Sequence, residues 1–92
     1  MTKGLFQLGS LVATPGALEA FTEAGGTPLC YIARHAQGDW GELDKEDVQE
    51  NQLSLENGFR LLSAYHLKDG TKFWIITEAD RSSTCILLPS EY

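Results

Sequence analysis

The last third of the chain carries most of its β-forming apolar residues, in three short runs at 59–67, 71–77 and 83–88. Lys68-Asp69-Gly70 separates the first two runs and Glu78-Ala79-Asp80-Arg81-Ser82 the second pair. Runs of this length bounded by Asp, Gly and Ser read as strands joined by turns, so a three-stranded antiparallel meander is expected. Asp69-Gly70 favours a two-residue type I′ turn, which pairs Lys68 with Thr71. Carried back, that register sets Tyr65 opposite Trp74, His66 opposite Phe73, Ala64 opposite Ile75 and Leu62 opposite Thr77. One face then holds Arg60, Leu62, Ala64, His66, Phe73, Ile75 and Thr77. The other holds Phe59, Leu61, Ser63, Tyr65, Leu67, Trp74 and Ile76. Neither face is polar, so both need cover. Helices would supply one side, and the N-terminal arm or a second subunit the other, which makes a homodimer one expected arrangement.

Upstream, the punctuation is helical. Thr14-Pro15 offers a side-chain cap followed by a proline that has no N–H to lose, and Gly25-Gly26 stops the helix at 24. Thr27-Pro28 repeats the start for a helix over 28–37, with Leu29, Ile32, Ala33 and Ala36 as its apolar stripe. Asp44 caps a third helix whose first turn is acidic, favourable at the positive end of the helix dipole, and Asn57-Gly58 ends it. Its apolar positions Val48, Leu53 and Leu55 are sparse. Residues 5–13 read as a loose strand or extended arm around Gly9-Ser10. Pro89 closes the last strand, and Tyr92 is placed to fold back as an anchor. The expectation is a single α+β domain over residues 1–92, with three short helices followed by the meander and an N-terminal strand as a further element.

Charge narrows the function. Seven Lys and Arg stand against thirteen Asp and Glu, a net charge of −6, and the basic residues are scattered. A nucleic-acid binder needs a basic stripe that displaces counterions from phosphates, so general DNA or RNA affinity is not expected. An acidic surface fits either simple solubility or docking onto a basic protein partner. No apolar run reaches the roughly 18–20 residues that cross a bilayer, and Met1-Thr2-Lys3-Gly4-Leu5 has no apolar stretch of the secretion-signal kind. A cytoplasmic protein with no membrane role is expected. Cys30 and Cys85 are read as free, buried thiols. Together with His35 and His66 they lack the compact ligand pairs of zinc modules, so neither metal nor cofactor is expected.

Three places carry candidate chemistry. His35 at the end of the second helix, with Asp39 nearby, could form a His–carboxylate pair. The quieter reading has His35 capping the last carbonyls and Asp39 holding the loop. Trp40, between Asp39 and Gly41, reads as a plug whose indole N–H finds a carbonyl, or as a stacking wall for a ligand. In the turn at 78–82, Glu78, Asp80 and Arg81 could bind a metal or phosphate, or Arg81 could bridge its neighbours. The third helix, with Glu46, Asp47, Glu50 and Glu56, is the most acidic surface. It reads first as a solvated face, and in the sharper reading as a docking face for a basic partner with Glu46 and Glu50 as the candidates.

The run Ala33-Arg34-His35-x-x-Gly38-Asp39-Trp40-Gly41, with Ser63-Ala64-Tyr65, Asp69-Gly70-Thr71 and the stretch from Trp74 to Ser82 continuing to Leu87-Leu88-Pro89, resembles a family of small bacterial plasmid-related proteins linked to mobile elements. The resemblance runs from about Thr14 to Tyr92. It implies functions such as anti-restriction, anti-CRISPR or toxin–antitoxin control.

The leading expectation is therefore a small, acidic, non-enzymatic protein that binds a basic protein partner. The alternative is a toxin-like RNase with Arg60, Tyr65, His66, Thr77 and Arg81 on the sheet. Third comes a small-ligand binder or a purely structural domain.

Overall fold

Side-chain caps and left-handed glycines set the ends of two of the three helices. In the computed structural model, which describes residues 4–92, α1 (Pro15–Ala24) begins where the Thr14 hydroxyl accepts the Ala17 N–H at 3.2 Å. It ends on Gly25 at φ 75°, a conformation that costs glycine nothing. Helix α3 (Lys45–Asn57) starts on the Asp44 carboxylate, which accepts the Asp47 N–H at 2.9 Å, and stops at Gly58, also φ 75°. Between them, α2 (Leu29–Ala36) lacks a side-chain cap and begins one residue later than its Thr-Pro signal suggests. The stretch read for a secretion signal starts at Met1, and residues 1–3 lie outside the described residues.

The sheet has four strands, the three C-terminal ones and the N-terminal strand read as a further element, and is mixed rather than a pure antiparallel meander. Its order is β1 (Ser10–Ala13), β4 (Ser83–Leu87), β3 (Lys72–Thr77), β2 (Leu61–His66), with β1 parallel to β4 and the other neighbours antiparallel. The N-terminal segment thus becomes an edge strand, and the helices sit between strands in the chain. A short 3-10 turn (Pro89–Glu91) follows β4, and its Glu91 carboxylate reaches back to the start of α1. There it accepts from the Thr14 hydroxyl and the Gly16 N–H, so the positive end of the helix is matched by a charge from the chain's far end.

The hairpin register differs by one residue from the expected one. Leu61 stands opposite Thr77, Ser63 opposite Ile75 and Tyr65 opposite Phe73. The cause is the loop. Gly70 N–H bonds the Leu67 carbonyl at 2.9 Å, Leu67 N–H bonds the Thr71 carbonyl at 2.9 Å, and Gly70 takes φ 89°. That is a three-residue loop, a type I turn followed by a left-handed glycine, rather than the two-residue turn. A one-residue slip moves every side chain of one strand to the other face. Leu61, Ser63, Tyr65, Leu67, Phe73, Ile75, Thr77, Thr84 and Ile86 now share one face, and all are buried. The opposite face grades from buried Ile76 and Leu87 to exposed His66 and Lys72.

Helices α1 and α2 cover the buried face. Ala17, Phe21 and Ile32 join Tyr65, Leu67, Phe73, Ile75 and Ile86 in one cluster. Edge-to-face rings bind it, with Phe21 and Tyr31 each 4.9 Å from Phe73. The inward side of α2 is Ile32, His35 and Ala36, not the expected stripe through Leu29 and Ala33. Leu29 is 66% exposed and Ala33 is exposed, and so is Cys30 on the same outer side, against the expectation of a buried thiol. Cys85 is free and half-buried. The radius of gyration is 12.5 Å, close to the value of about 12 Å for a compact chain of this length. No helix among the described residues is long and apolar enough to cross a membrane.

Helix α3 does not lie on the buried face with the others. It stands beside the free edge of β2, where the Asn51 amide donates to the Leu62 carbonyl at 2.7 Å and accepts the Leu62 N–H at 3.1 Å. One side chain thus stands in for a neighbouring strand. Further along, Ala64 donates to the Trp40 carbonyl and accepts from the Glu42 N–H, so residues 40–42 occupy the edge at the next outward residue. Gly41 is required here: at φ 74°, a Cβ would stand 2.0 Å from the Ala64 oxygen. Exchanging Asn51 for Asp keeps the acceptor but removes the donor and sets a carboxylate against the Leu62 carbonyl. Asn51→Asp should lower unfolding free energy by about 2 kcal/mol, read as a shifted urea midpoint.

Candidate functional site

Two groups of side chains stand out, one closed to solvent and one lining an open groove. The closed group centres on His35, which is 0% exposed. Its Nδ1 lies 2.5 Å from the Ser63 hydroxyl and its Nε2 2.9 Å from the Thr77 hydroxyl. Thr77 in turn lies 2.7 Å from the Thr84 hydroxyl, which donates to the Leu8 carbonyl at 2.7 Å. A carbonyl can only accept, so the direction of the chain is determined from that end. Thr84 donates to Leu8, Thr77 to Thr84, and His35 through Nε2–H to Thr77, which leaves Nδ1 to accept from Ser63. A serine hydroxyl on a histidine nitrogen is the pairing that activates nucleophiles. Here both partners are 0% exposed, beneath Phe6 and Trp40, whose rings meet the imidazole edge-on at 5.2 and 5.6 Å. The relay binds the fold together.

Burial lowers the His35 pKa from 6.5 to about 4, because the imidazolium would lose its hydration. Between those values the unfolded chain binds the extra proton and the folded one does not, so stability falls as pH falls through that window. The expected loss is about 3 kcal/mol between pH 7 and pH 4. Urea titrations at stepped pH check it, and nitrogen NMR should show the Nε2–H form held to about pH 5. His35→Gln should flatten the dependence between pH 6.5 and 5.

Asp39 is engaged elsewhere. Its carboxylate pairs with Arg34 at 2.7 Å and accepts the Gly41 N–H, and the guanidinium beside it holds its pKa below the usual range. No His35–Asp39 pair forms. Asp39 holds the loop through Gly41, as the quieter reading has it, and pairs with Arg34, which rests 4.7 Å above the Tyr65 ring. His35 caps no helix carbonyl and bonds Ser63 and Thr77 instead. Tyr65 donates its hydroxyl to the Asp39 carbonyl, and burial pushes its pKa up to about 12. Trp40 is the plug expected, 5% exposed and stacked on Phe6, but its indole N–H finds no partner among the described residues.

In the turn after β3, Asp80 accepts the Ser82 N–H and its pKa is lowered by Ser82. Arg81, at φ 61°, turns inward and donates to the carbonyls of Phe59, Glu78, Ala79 and Ser54, from 2.7 to 3.2 Å. It ties the end of α3 to the sheet and does not bridge Glu78 or Asp80 by charge. Phe6 stands between this turn and the Trp40 loop, 5.8 Å from the Arg81 guanidinium. Replacing Arg81 by Ala removes charge-assisted bonds to four carbonyls and should cost about 2 kcal/mol. The same change should speed amide exchange at Gly58 and Phe59, whose N–H groups bond the Ser54 carbonyl.

The RNase set does not converge. Thr77 lies in the core relay, Arg81 clamps α3, Arg60 bonds the Tyr92 hydroxyl, and exposed His66 pairs with Glu42 beside Tyr65. Among the described residues no three His, Cys, Asp or Glu side chains gather to hold a metal ion.

The open group is a groove of about 460 Å³ between α3 and the outer face of the sheet. Asp47, Glu50, Asn51 and Ser54 form one wall, and Leu62, Trp74 and Ile76 are the apolar lining from the strands. At the far side Tyr92 folds back, its ring edge-on to Trp74 at 5.6 Å and under the Arg60 guanidinium at 5.4 Å. Glu50 was singled out from the sequence, and Glu46 lies exposed on the same helix. Asp47, Asn51 and Ser54 were missed as a wall, although their three- and four-residue spacing puts them on one helix face. Trp74 was hidden by the register error. Comparisons with family models, curated proteins and solved structures give no match.

Proposed function

We propose that the chain is a non-enzymatic docking module that receives a basic segment of a protein partner in the groove beside α3. The observation that carries this reading is the pairing of an acidic wall with an aromatic lining: Asp47 and Glu50 face a strip made by Leu62, Trp74 and Ile76. Such a groove takes a peptide with an apolar or aromatic anchor for the strip and Lys or Arg for the wall. Tyr92 already occupies one end as an aromatic ring resting on Trp74, and so shows the kind of side chain that fits. A net charge of −6 adds long-range attraction for a basic partner. Reading that partner as a component of a restriction, CRISPR or toxin–antitoxin system rests on the motif resemblance alone, which no comparison matches.

A panel of peptides, each with one aromatic residue flanked by Lys or Arg, tests the proposal by titration against Trp74 fluorescence. Saturable binding is expected, weakened as salt shortens the reach of charge and weakened about tenfold by joint Asp47→Lys and Glu50→Lys replacement. Trp74→Ala, which lacks the reporter ring and is therefore read by the anisotropy of dye-labelled peptide, should abolish binding while leaving the fold intact by circular dichroism. Absence of binding across the panel, or binding indifferent to charge reversal, overturns the reading.

A further inference from the structure

The two edges of the sheet are treated differently. The β2 edge is closed by Asn51 and residues 40–42, but β1, at the other end, has no neighbour beyond it among the described residues. Ser10 N–H bonds the Ser82 carbonyl and Thr14 N–H bonds the Ile86 carbonyl, so residues 10, 12 and 14 face β4. By alternation, the backbone groups of Leu11 and Ala13 face away from the sheet. Leu11 is 50% and Val12 47% exposed, and the strand has no Lys, Pro or bulge of the kind that blunts an edge.

We propose that this edge pairs with the same edge of a second copy, antiparallel and two-fold symmetric about Val12. In that register Leu11 of one chain meets Ala13 of the other. The outward N–H and C=O groups of both then exchange bonds, and the two Val12 side chains meet across the axis as a β-branched pair. Charge selects a second copy as the occupant. Two chains of net charge −6 repel, so they meet best where neither carries charge, and residues 4–18 contain no Asp, Glu, Lys, Arg or His. Glu91, which reaches the end of this segment, is held by Thr14 and Gly16. A basic partner would gain nothing on this edge. The contact is short of the usual area for tight association, so the dimer is weak.

Sedimentation equilibrium from about 10 μM to about 1 mM tests it, with half-association expected on the order of 100 μM. Added salt should strengthen the dimer by screening the repulsion, the reverse of its effect on groove binding. Leu11→Lys and Val12→Lys, at exposed positions that leave the core untouched, should each weaken it about tenfold or more. The amides of Leu11 and Ala13 should gain exchange protection as protein concentration rises. A monomer mass throughout, a dimer that survives both lysine variants, or unchanged amides would each overturn the proposal.

Discussion

The structure depends most on a hydrogen-bonded imidazole with no access to water. His35 joins α2 to β2 through Ser63 and to β3 through Thr77, and the chain continues to β4 at Thr84 and to the N-terminal arm at the Leu8 carbonyl. Five segments distant in sequence are thus held by one run of donors and acceptors. Buried polar groups are costly unless satisfied, and this run satisfies each in a single direction. A hydrophobic core would tolerate small slides of α2 over the sheet. The relay permits one position, and the sheet register, the arm and the Trp40 plug all rest on it.

The element list was legible because local chemistry decides it. Thr14-Pro15, Gly25, Asp44 and Gly58 act within a few residues of themselves, and each marks a boundary that the structure keeps. The three C-terminal strands were legible for the same reason. What failed were choices settled at long range. Asp69-Gly70 suits two loop lengths, and the longer one wins because it puts Leu61, Tyr65 and Phe73 under the helices together. Leu29 looked like core and His35 like a cap on the last helix carbonyls, but the Ser63 and Thr77 hydroxyls across the sheet draw His35 inward and leave Leu29 exposed. The parallel pairing of β1 with β4 links residues more than seventy apart, beyond the reach of any periodicity.

The groove was half legible. The acidic character of α3 was plain from Glu46, Asp47 and Glu50, but a charged helix face alone is usually only solvated. Its meaning changes once Trp74 and Ile76 are seen beside it. The mounting of α3 also explains its sparse apolar stripe. Asn51 holds it to β2 and Arg81 grips its last turn through the Ser54 carbonyl, so polar bonds do what the buried Ala17 and Phe21 do for α1. A helix attached in this way can keep an acidic face turned to the solvent without losing its place.

Asn51 has a further consequence, which concerns growth. A sheet with two open edges can add copies at both ends, and repeated addition leads to fibres. Here an amide side chain occupies the hydrogen-bonding row of β2 at Leu62, and the loop at 40–42 occupies it at Ala64. Any edge-to-edge joining of these chains is therefore terminated from the outset, since each molecule has one end to offer and the product has none. Asn51 and the loop at 40–42 together make strand pairing a self-limiting reaction.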